Sequence, residues 1–435
     1  MAVVYAVLCH RSPHDVAELV RRLYHPGHQV ILHADRKAPA ALHDLLARLA
    51  ASFPDIHVLE SALCAWGGWS LVDATLRAIG RAVDLPDPWR HFVLLGEQHV
   101  PLQPPAAIER SLPDGVSFIE ARSLTTMDRA TRADLLHRFA GEYRELPGVG
   151  MFAAGPSAAE SVAPQALRFG SQWVVLAREA CERLATRDVA ALWQPFRTSL
   201  VADETALPSV LLGTAVGRGL EIRNACPTFT AWPHLGGDAD SSFTDQAARA
   251  ARARGMLFIR KRPRVLPPFT RALLAAMPRR PALPPSDPPP EKRAADVAGL
   301  AATLGGMLRG RFPDLSIRAT EPGNPACCLW LQPTAAPQPL LVCLVSADMG
   351  AFKVLLAWRR RFDGSLATVR LGGYAATVMG ARLPGLTLAR EVHLPELPDH
   401  GFVSIGPGGE AELATRLSVA LAVARRLSAL TAEAA

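Results

Sequence analysis

Four groups of residues have the types and spacing to carry chemistry. Phe258-Ile259-Arg260-Lys261-Arg262 sets three adjacent cations at the end of an apolar run. Arginine forks onto phosphate oxygens and lysine adds a point charge, so this cluster could hold a diphosphate. Its ordinary reading is a solvated basic edge before Pro263. Asp203-Glu204 precedes the apolar stretch Thr205–Leu212. A carboxylate held at a helix start beside a cleft can act as a general base, which makes Glu204 a candidate. As plain structure, Asp203 is a good N-cap and Glu204 a first-turn acid favoured by the helix dipole.

Trp66-Gly67-Gly68-Trp69-Ser70 allows close backbone approach to a ligand or a tight strand-to-helix turn. Ser70 is suited to cap the helix that follows. Gly170-Ser171-Gln172-Trp173 combines a hinge, a hydroxyl, an amide and an aromatic face. That set suits sugar recognition, and a tryptophan buried in a core strand explains it equally well. Asp238-Ala239-Asp240 could bind Mg²⁺ or Mn²⁺, but in a Gly-rich loop beside Ser241-Ser242 a turn is the better reading. The early histidines fit no helical metal pair. Gly406-Pro407-Gly408-Gly409 lacks the Lys-Ser/Thr of a phosphate loop and is followed by Glu410, so it reads as an ordinary loop.

The elements that must position these groups alternate. Val3–Leu8, Gln29–His33, Ile56–Glu60 and His91–Leu95 read as strands. His14–Tyr24, Ala40–Ser52 and Trp69–Val83 read as helices, the first starting at Ser12-Pro13. Such alternation predicts an α/β fold with a mainly parallel central sheet, its functional loops beyond the carboxyl ends of the strands. Residues 121–168 carry Gly and Pro breaks and read as an insertion or flap. Ser171–Leu176 (strand), Arg178–Thr186 and Glu204–Leu212 (helices), Ala247–Arg254 (helix) and Met256–Arg260 (strand) complete the first unit.

The chain has 435 residues, which allows two domains. Hydrophobic residues make up 49% and charged ones 20%, enough to bury a core and against general disorder. Residues 278–290 contain seven prolines and read as a stiff spacer. The division is 1–265, a linker over 266–293, and a smaller α/β domain over 294–435. In the last, 294–310 and 409–428 read as helices and 327–331, 340–345 and 354–358 as strands. The net charge of +7 favours anionic partners, but only four of 47 basic residues are lysines, and no nucleic-acid motif accompanies them. Seven cysteines without a Cys-x-x-Cys pair argue for a reducing compartment. With neither a leader nor a membrane span in the sequence, the expectation is cytoplasmic, with peripheral membrane association left open.

The order of the motifs resembles the core-2/I-branching β-1,6-N-acetylglucosaminyltransferase family, with its xylosyltransferase relatives. Tyr5-Ala6-Val7-Leu8-Cys9-His10, Tyr24-His25-Pro26 and His33-Ala34-Asp35-Arg36-Lys37 resemble the family's opening strand, helix and His-x-Asp-x-Lys strand end. Trp66–Val72, then Leu94–Leu102, Gly170–Trp173, Asp203-Glu204-Thr205-x-Leu207-Pro208, Trp232 and Leu257–Lys261 follow in family order. The likeness covers about residues 1–265. Departures are Ala231 before Trp232, no arginine within Pro227–Ala231, and Gln98 or His99 where the family commonly has an acid.

The resemblance implies a GT-A-like nucleotide-sugar fold and an inverting transfer that needs no metal or other cofactor. It implies Glu204 as base, Lys261 and Arg260 as diphosphate clamp, and Asp35 at the nucleoside, with Trp66 and Gly67 also on the donor side. Ser171, Gln172, Trp173, Asp203 and Trp232 fall near sugar or acceptor. The expected partners are a UDP-sugar, GlcNAc foremost, and a glycan or glycoconjugate acceptor. The alternatives are a UDP-xylose-type transferase, an inactive sugar-nucleotide- or glycan-binding homologue, and a metal-dependent transferase using Asp238 and Asp240.

Overall fold

The computed structural model describes residues 2–146, 150–156, 165–230, 243–263 and 265–278. Beyond them it describes 306, 309–310, 313–319, 326–333, 341–348, 351–357 and 400–405. The chain opens with β1 (Ala2–Cys9), α1 (Pro13–Leu23), β2 (Gln29–Ala34), α2 (Ala40–Ser52), β3 (Ile56–Val58), α3 (Trp69–Val83) and β4 (Trp89–Gly96). It continues with β5 (Val100–Pro101), α4 (Pro105–Ser111), β6 (Val116–Phe118), β7 (Ala121–Ser123), α5 (Arg129–Ala140), β8 (Gly141–Leu146) and β9 (Gly150–Pro156). Next come β10 (Arg168–Gly170), β11 (Val175–Ala177), α6 (Arg178–Leu184), α7 (Ala206–Gly213), β12 (Glu221–Arg223), β13 (Thr228–Thr230), α8 (Asp245–Ala253), β14 (Phe258–Arg260) and α9 (Pro268–Ala276). The last described strands are β15 (Leu315–Ala319), β16 (Ala326–Pro333), β17 (Leu341–Asp348), β18 (Ala351–Ala357) and β19 (His400–Ile405).

The central sheet has seven strands in the order β12-β6-β11-β4-β1-β2-β3. β1 runs parallel to β2 and β4, and β2 parallel to β3. β11 is antiparallel to β4 and β6. All six residues of β2 are buried. A parallel strand covered on both faces has no solvent side, which is why β1, β2 and β4 read as continuous apolar runs. Successive side chains serve opposite layers. Tyr5, Val7, Val30 and Leu32 pack with Val16 and Val20 of α1 and Leu42 and Leu46 of α2. Val4, Ala6, Ile31 and Leu94 pack with Val72 and Ile79 of α3 and Ala180 of α6. Each fully buried aliphatic side chain of this kind contributes roughly 1.5–3 kcal/mol.

α1 begins as its sequence predicts. Ser12 Oγ accepts the Asp15 N–H at 3.1 Å, and Pro13 fills the first turn. A small sheet, β13-β14-β5, joins the first unit's end to its middle: Phe258 and Ile259 face Pro101 and Val100. This carries Arg260 to the loop after β4.

Residues 121–168, read from sequence as irregular, contain helix α5 and the β8–β9 hairpin. The apolar residues of α5 do not gather on one side, so no helical stripe marked it. The apolar runs at 327–331, 340–345 and 354–358 coincide with β16, β17 and β18. These strands form an antiparallel sheet in the order β15-β16-β17-β18-β19-β9-β8, which takes in the hairpin. The predicted helix over 409–428, the Gly406–Gly409 turn and the proline run from 279 onward lie outside the described residues, as does most of 294–310. Among the described residues no helix is long and apolar enough to cross a membrane.

Candidate active site

Because β1, β2 and β4 are parallel, their carboxyl ends share one edge. There Asp35 follows β2, with its N–H on the Cys9 carbonyl at 2.8 Å. Its residue is 7% exposed. Oδ1 accepts the Lys37 N–H at 2.9 Å and Oδ2 accepts Lys37 Nζ at 2.8 Å. Lys37 Nζ also donates to the Cys64 carbonyl. Asp35 therefore stands at the strand end as an ion-paired carboxylate that shapes its own turn.

Glu97 closes the end of β4 and is 1% exposed. Its Oε2 accepts the N–H groups of His10 at 2.9 Å, Arg11 at 3.1 Å and Ser12 at 3.5 Å. Arg11 Nε lies 3.4 Å from Oε1. One buried carboxylate thus gathers three successive main-chain donors of the β1–α1 loop, and such charge-assisted bonds are strong. The signal for Glu97 in the sequence is slight: an acid directly after an apolar strand.

The Trp66–Ser70 loop packs against the turn before α7. The Gly67 carbonyl accepts the Val201 N–H at 2.7 Å. Gly67 has φ +75° and Val201 φ +55°. A β-branched residue in the left-handed region is strained, and such positions persist where the surroundings over-determine them. Ser70 does not cap α3; Gly68 occupies that position. The Ser70 N–H donates to Glu145 Oε1 at 2.6 Å, and its hydroxyl accepts the Ala65 N–H at 2.9 Å. Trp66 is 37% exposed at this edge.

Asp203 and Glu204 fall in a short 3-10 turn, Ala202–Glu204, with α7 starting only at Ala206. The helix-cap reading of Asp203 fails: the cap position is Thr205, with no side-chain cap bond. The left-handed Val201 opens this turn, so both carboxylates stand ahead of the helix. Glu204 Oε2 accepts Arg138 Nη1 at 3.1 Å. Asp203 Oδ1 is buried and unpartnered. Burial, reinforced by the adjacent Glu204, pushes the Asp203 carboxyl up to about 7. Arg138, absent from the sequence reading, lies on α5 and has no local signature.

Arg260 ends β14 within electrostatic reach of Asp203 and Glu204. Its guanidinium carbon sits 4.3 Å from the centroid of the Trp173 ring. Burial pulls its pKa down to about 10. Lys261 follows, partly buried, and Arg262 is anchored by its N–H to the Gln98 carbonyl at 2.9 Å and by Nε to Asp15 Oδ1 at 3.1 Å. Ser171 Oγ accepts the Trp173 N–H at 3.2 Å and lies 3.5 Å from Cys226 Sγ, so the hydroxyl is used inside its own turn. Gly170 is no hinge: a Cβ there would overlap the Glu120 carbonyl oxygen. Gln172 is half-buried beside these groups. Trp232, Asp238 and Asp240 lie outside the described residues.

The structure thus brings Asp203, Glu204, Arg260 and Trp173 together, and sets Asp35, Trp66 and Gly67 along the same edge of the sheet. A mainly parallel α/β sheet with charged loops beyond its carboxyl ends is a GT-A-like arrangement. The model of the Core-2/I-Branching enzyme family matches residues 3–251, more than half of the chain. The chain belongs to that family, a family of glycosyltransferases. A xylosyltransferase of Ciona intestinalis is 26% identical over 103 residues, 23% of this chain and 12% of that protein. The match therefore spans well under two thirds of that relative's length.

Proposed function

We propose that this chain is an inverting glycosyltransferase that works without a metal and moves a sugar, GlcNAc foremost, from a UDP-sugar to a glycan hydroxyl. The observation that carries the reading is a carboxylate, Glu204, held by Arg138 Nη1 at 3.1 Å, with the buried Arg260 within electrostatic reach of it. Glu204 accepts the proton of the acceptor hydroxyl. That oxygen attacks the anomeric carbon as the bond to UDP breaks on the opposite face, so configuration inverts. Arg260 and Lys261 stabilise the negative charge that grows on the departing diphosphate. Asp35, with the Trp66-Gly67 loop, borders the donor; Ser171 and Gln172 lie toward the sugar and acceptor, together with Asp203. The reaction runs in the cytoplasm.

Arg138 supports the same reading. It engages Oε2 of Glu204, while the other carboxylate oxygen makes no hydrogen bond among the described residues. One oxygen is held and one is left for the acceptor.

A screen of common UDP-sugars for UDP release, each with and without EDTA, tests the proposal. Release with one donor, unchanged in EDTA and lost in Glu204→Gln with UDP affinity retained, is the expected result. Release abolished by EDTA favours the Asp238/Asp240 alternative. Release with UDP-xylose alone favours the xylosyl reading, and UDP binding without turnover favours an inactive homologue.

A further inference from the structure

Trp173 is 7% exposed. One side of its ring carries the Arg260 guanidinium at 4.3 Å. The His99 ring meets it edge-on, with centroids 4.5 Å apart and planes at 71°. Gly96 lies close enough that a Cβ there would come within 3.0 Å of Trp173 Cη2. A sugar platform needs an open aromatic face, and this ring has none to offer. The role in sugar or acceptor contact implied by the family resemblance does not suit its surroundings.

What Trp173 touches is a cation that Asp203 and Glu204 reach only through space. Among the described residues the Arg260 guanidinium makes no hydrogen bond or ion pair, and its buried Nε has no partner. Leaving a buried guanidinium unpaired is costly. A desolvated cation over an indole face recovers part of that cost, and tryptophan is the best aromatic partner for it. His99 completes the arrangement. Its Nδ1 lies 2.9 Å from the Gly96 N–H and has that backbone as its partner, while Nε2 is buried and unpartnered. Burial, with Arg260 nearby, holds this imidazole neutral. A carboxylate at that place would pair with Arg260; a charged imidazole would repel it.

We propose that Trp173 and His99 are positioning residues for Arg260, a neutral aromatic cradle that keeps its guanidinium buried and, among the described residues, out of any ion pair, as a socket for the diphosphate of a nucleotide. This rests on the reading of Arg260 as diphosphate clamp. It makes Trp173 part of the donor site, acting through Arg260 and not through contact with a sugar.

Calorimetry with UDP on the full chain tests it, using Arg260→Ala, Trp173→Ala, Trp173→Phe, His99→Asp and the Trp173→Ala/Arg260→Ala double variant, with melting temperatures alongside. Arg260→Ala is expected to weaken UDP binding roughly tenfold or more, and Trp173→Ala to a similar degree. The double variant should bind no more weakly than Arg260→Ala alone, and Trp173→Phe should recover most of the loss. His99→Asp should weaken UDP binding by supplying a competing anion, and it serves as the readout should Trp173→Ala fail to fold. If Arg260→Ala weakens UDP binding while Trp173→Ala and His99→Asp leave it within about twofold, the cradle is wrong and the clamp stands. Additive losses in the double variant sink it likewise. If Arg260→Ala itself has no effect, the clamp reading falls and the cradle with it.

Discussion

Arg138 Nη1 lies 3.1 Å from Glu204 Oε2 across 66 positions of chain. Arg138 is 12% exposed and Glu204 32%. The partly buried pair fixes the carboxylate that the proposed function assigns to the acceptor hydroxyl. Arg260 and Asp203 also bear on Glu204, one cation and one acid. Replacing Arg138 by Gln removes the guanidinium that holds Oε2 of Glu204. Transfer should fall roughly tenfold in kcat/KM as the carboxylate loses its fixed position, while UDP affinity stays close to wild type. An unchanged kcat/KM would mean that the pair does not position Glu204.

Asp203 predicts how stability depends on pH. Its folded carboxyl titrates near 7, raised from 3.8 by burial and by Glu204. The native state therefore holds this proton more tightly than the unfolded chain does. Asp203's contribution is most favourable below about 4 and is lost as pH rises through about 7. Asp203→Asn keeps the shape and removes the charge. Its melting temperature should exceed wild type by more at pH 8 than at pH 4. A variant that gains nothing at pH 8 would refute the buried, proton-holding carboxyl.

Glu97 anchors three main-chain N–H groups of the β1–α1 loop. Glu97→Ala leaves all three without their acceptor, at roughly 1–3 kcal/mol for each one that water does not reach. The expected result is a clear fall in melting temperature together with weaker UDP binding. Glu97→Gln keeps one acceptor oxygen and should fall between the two. Unchanged binding by Glu97→Ala would show that the loop does not border the donor.

Gly170 separates a hinge from a packing constraint. A Cβ would meet the Glu120 carbonyl oxygen across the β10–β7 pair, so backbone must shift. Gly170→Ala should destabilise by roughly 1–3 kcal/mol, read by denaturant unfolding. A hinge that needed only flexibility would lose activity with little loss of stability.

Much of the fold was legible because local rules and burial agree. β1, β2 and β4 are covered on both faces, and their residues say so without help from neighbours. α1 announces its start through Ser12 and Pro13. α5 was not legible, since its apolar residues follow no single face. The Asp203 cap was misread because a strained Val201, held by the Gly67 carbonyl, turns the chain before the helix begins. That contact lies far along the sequence and leaves no periodic trace.

Sequence by itself determined the kinds of group this protein has and the order in which they come: a carboxylate pair before a helix, cations closing a strand, glycines between tryptophans. It also determined the parallel core, because hydrophobic periodicity is local. Tertiary structure alone decided which of these groups meet. Arg138 finds Glu204, Glu97 finds the amides of His10, Arg11 and Ser12, and Trp173 turns out to face Arg260 rather than solvent. Those meetings depend on burial and on the crossing of distant segments. The balance between desolvation and pairing that sets each charge exists only once the sheet has brought the segments together.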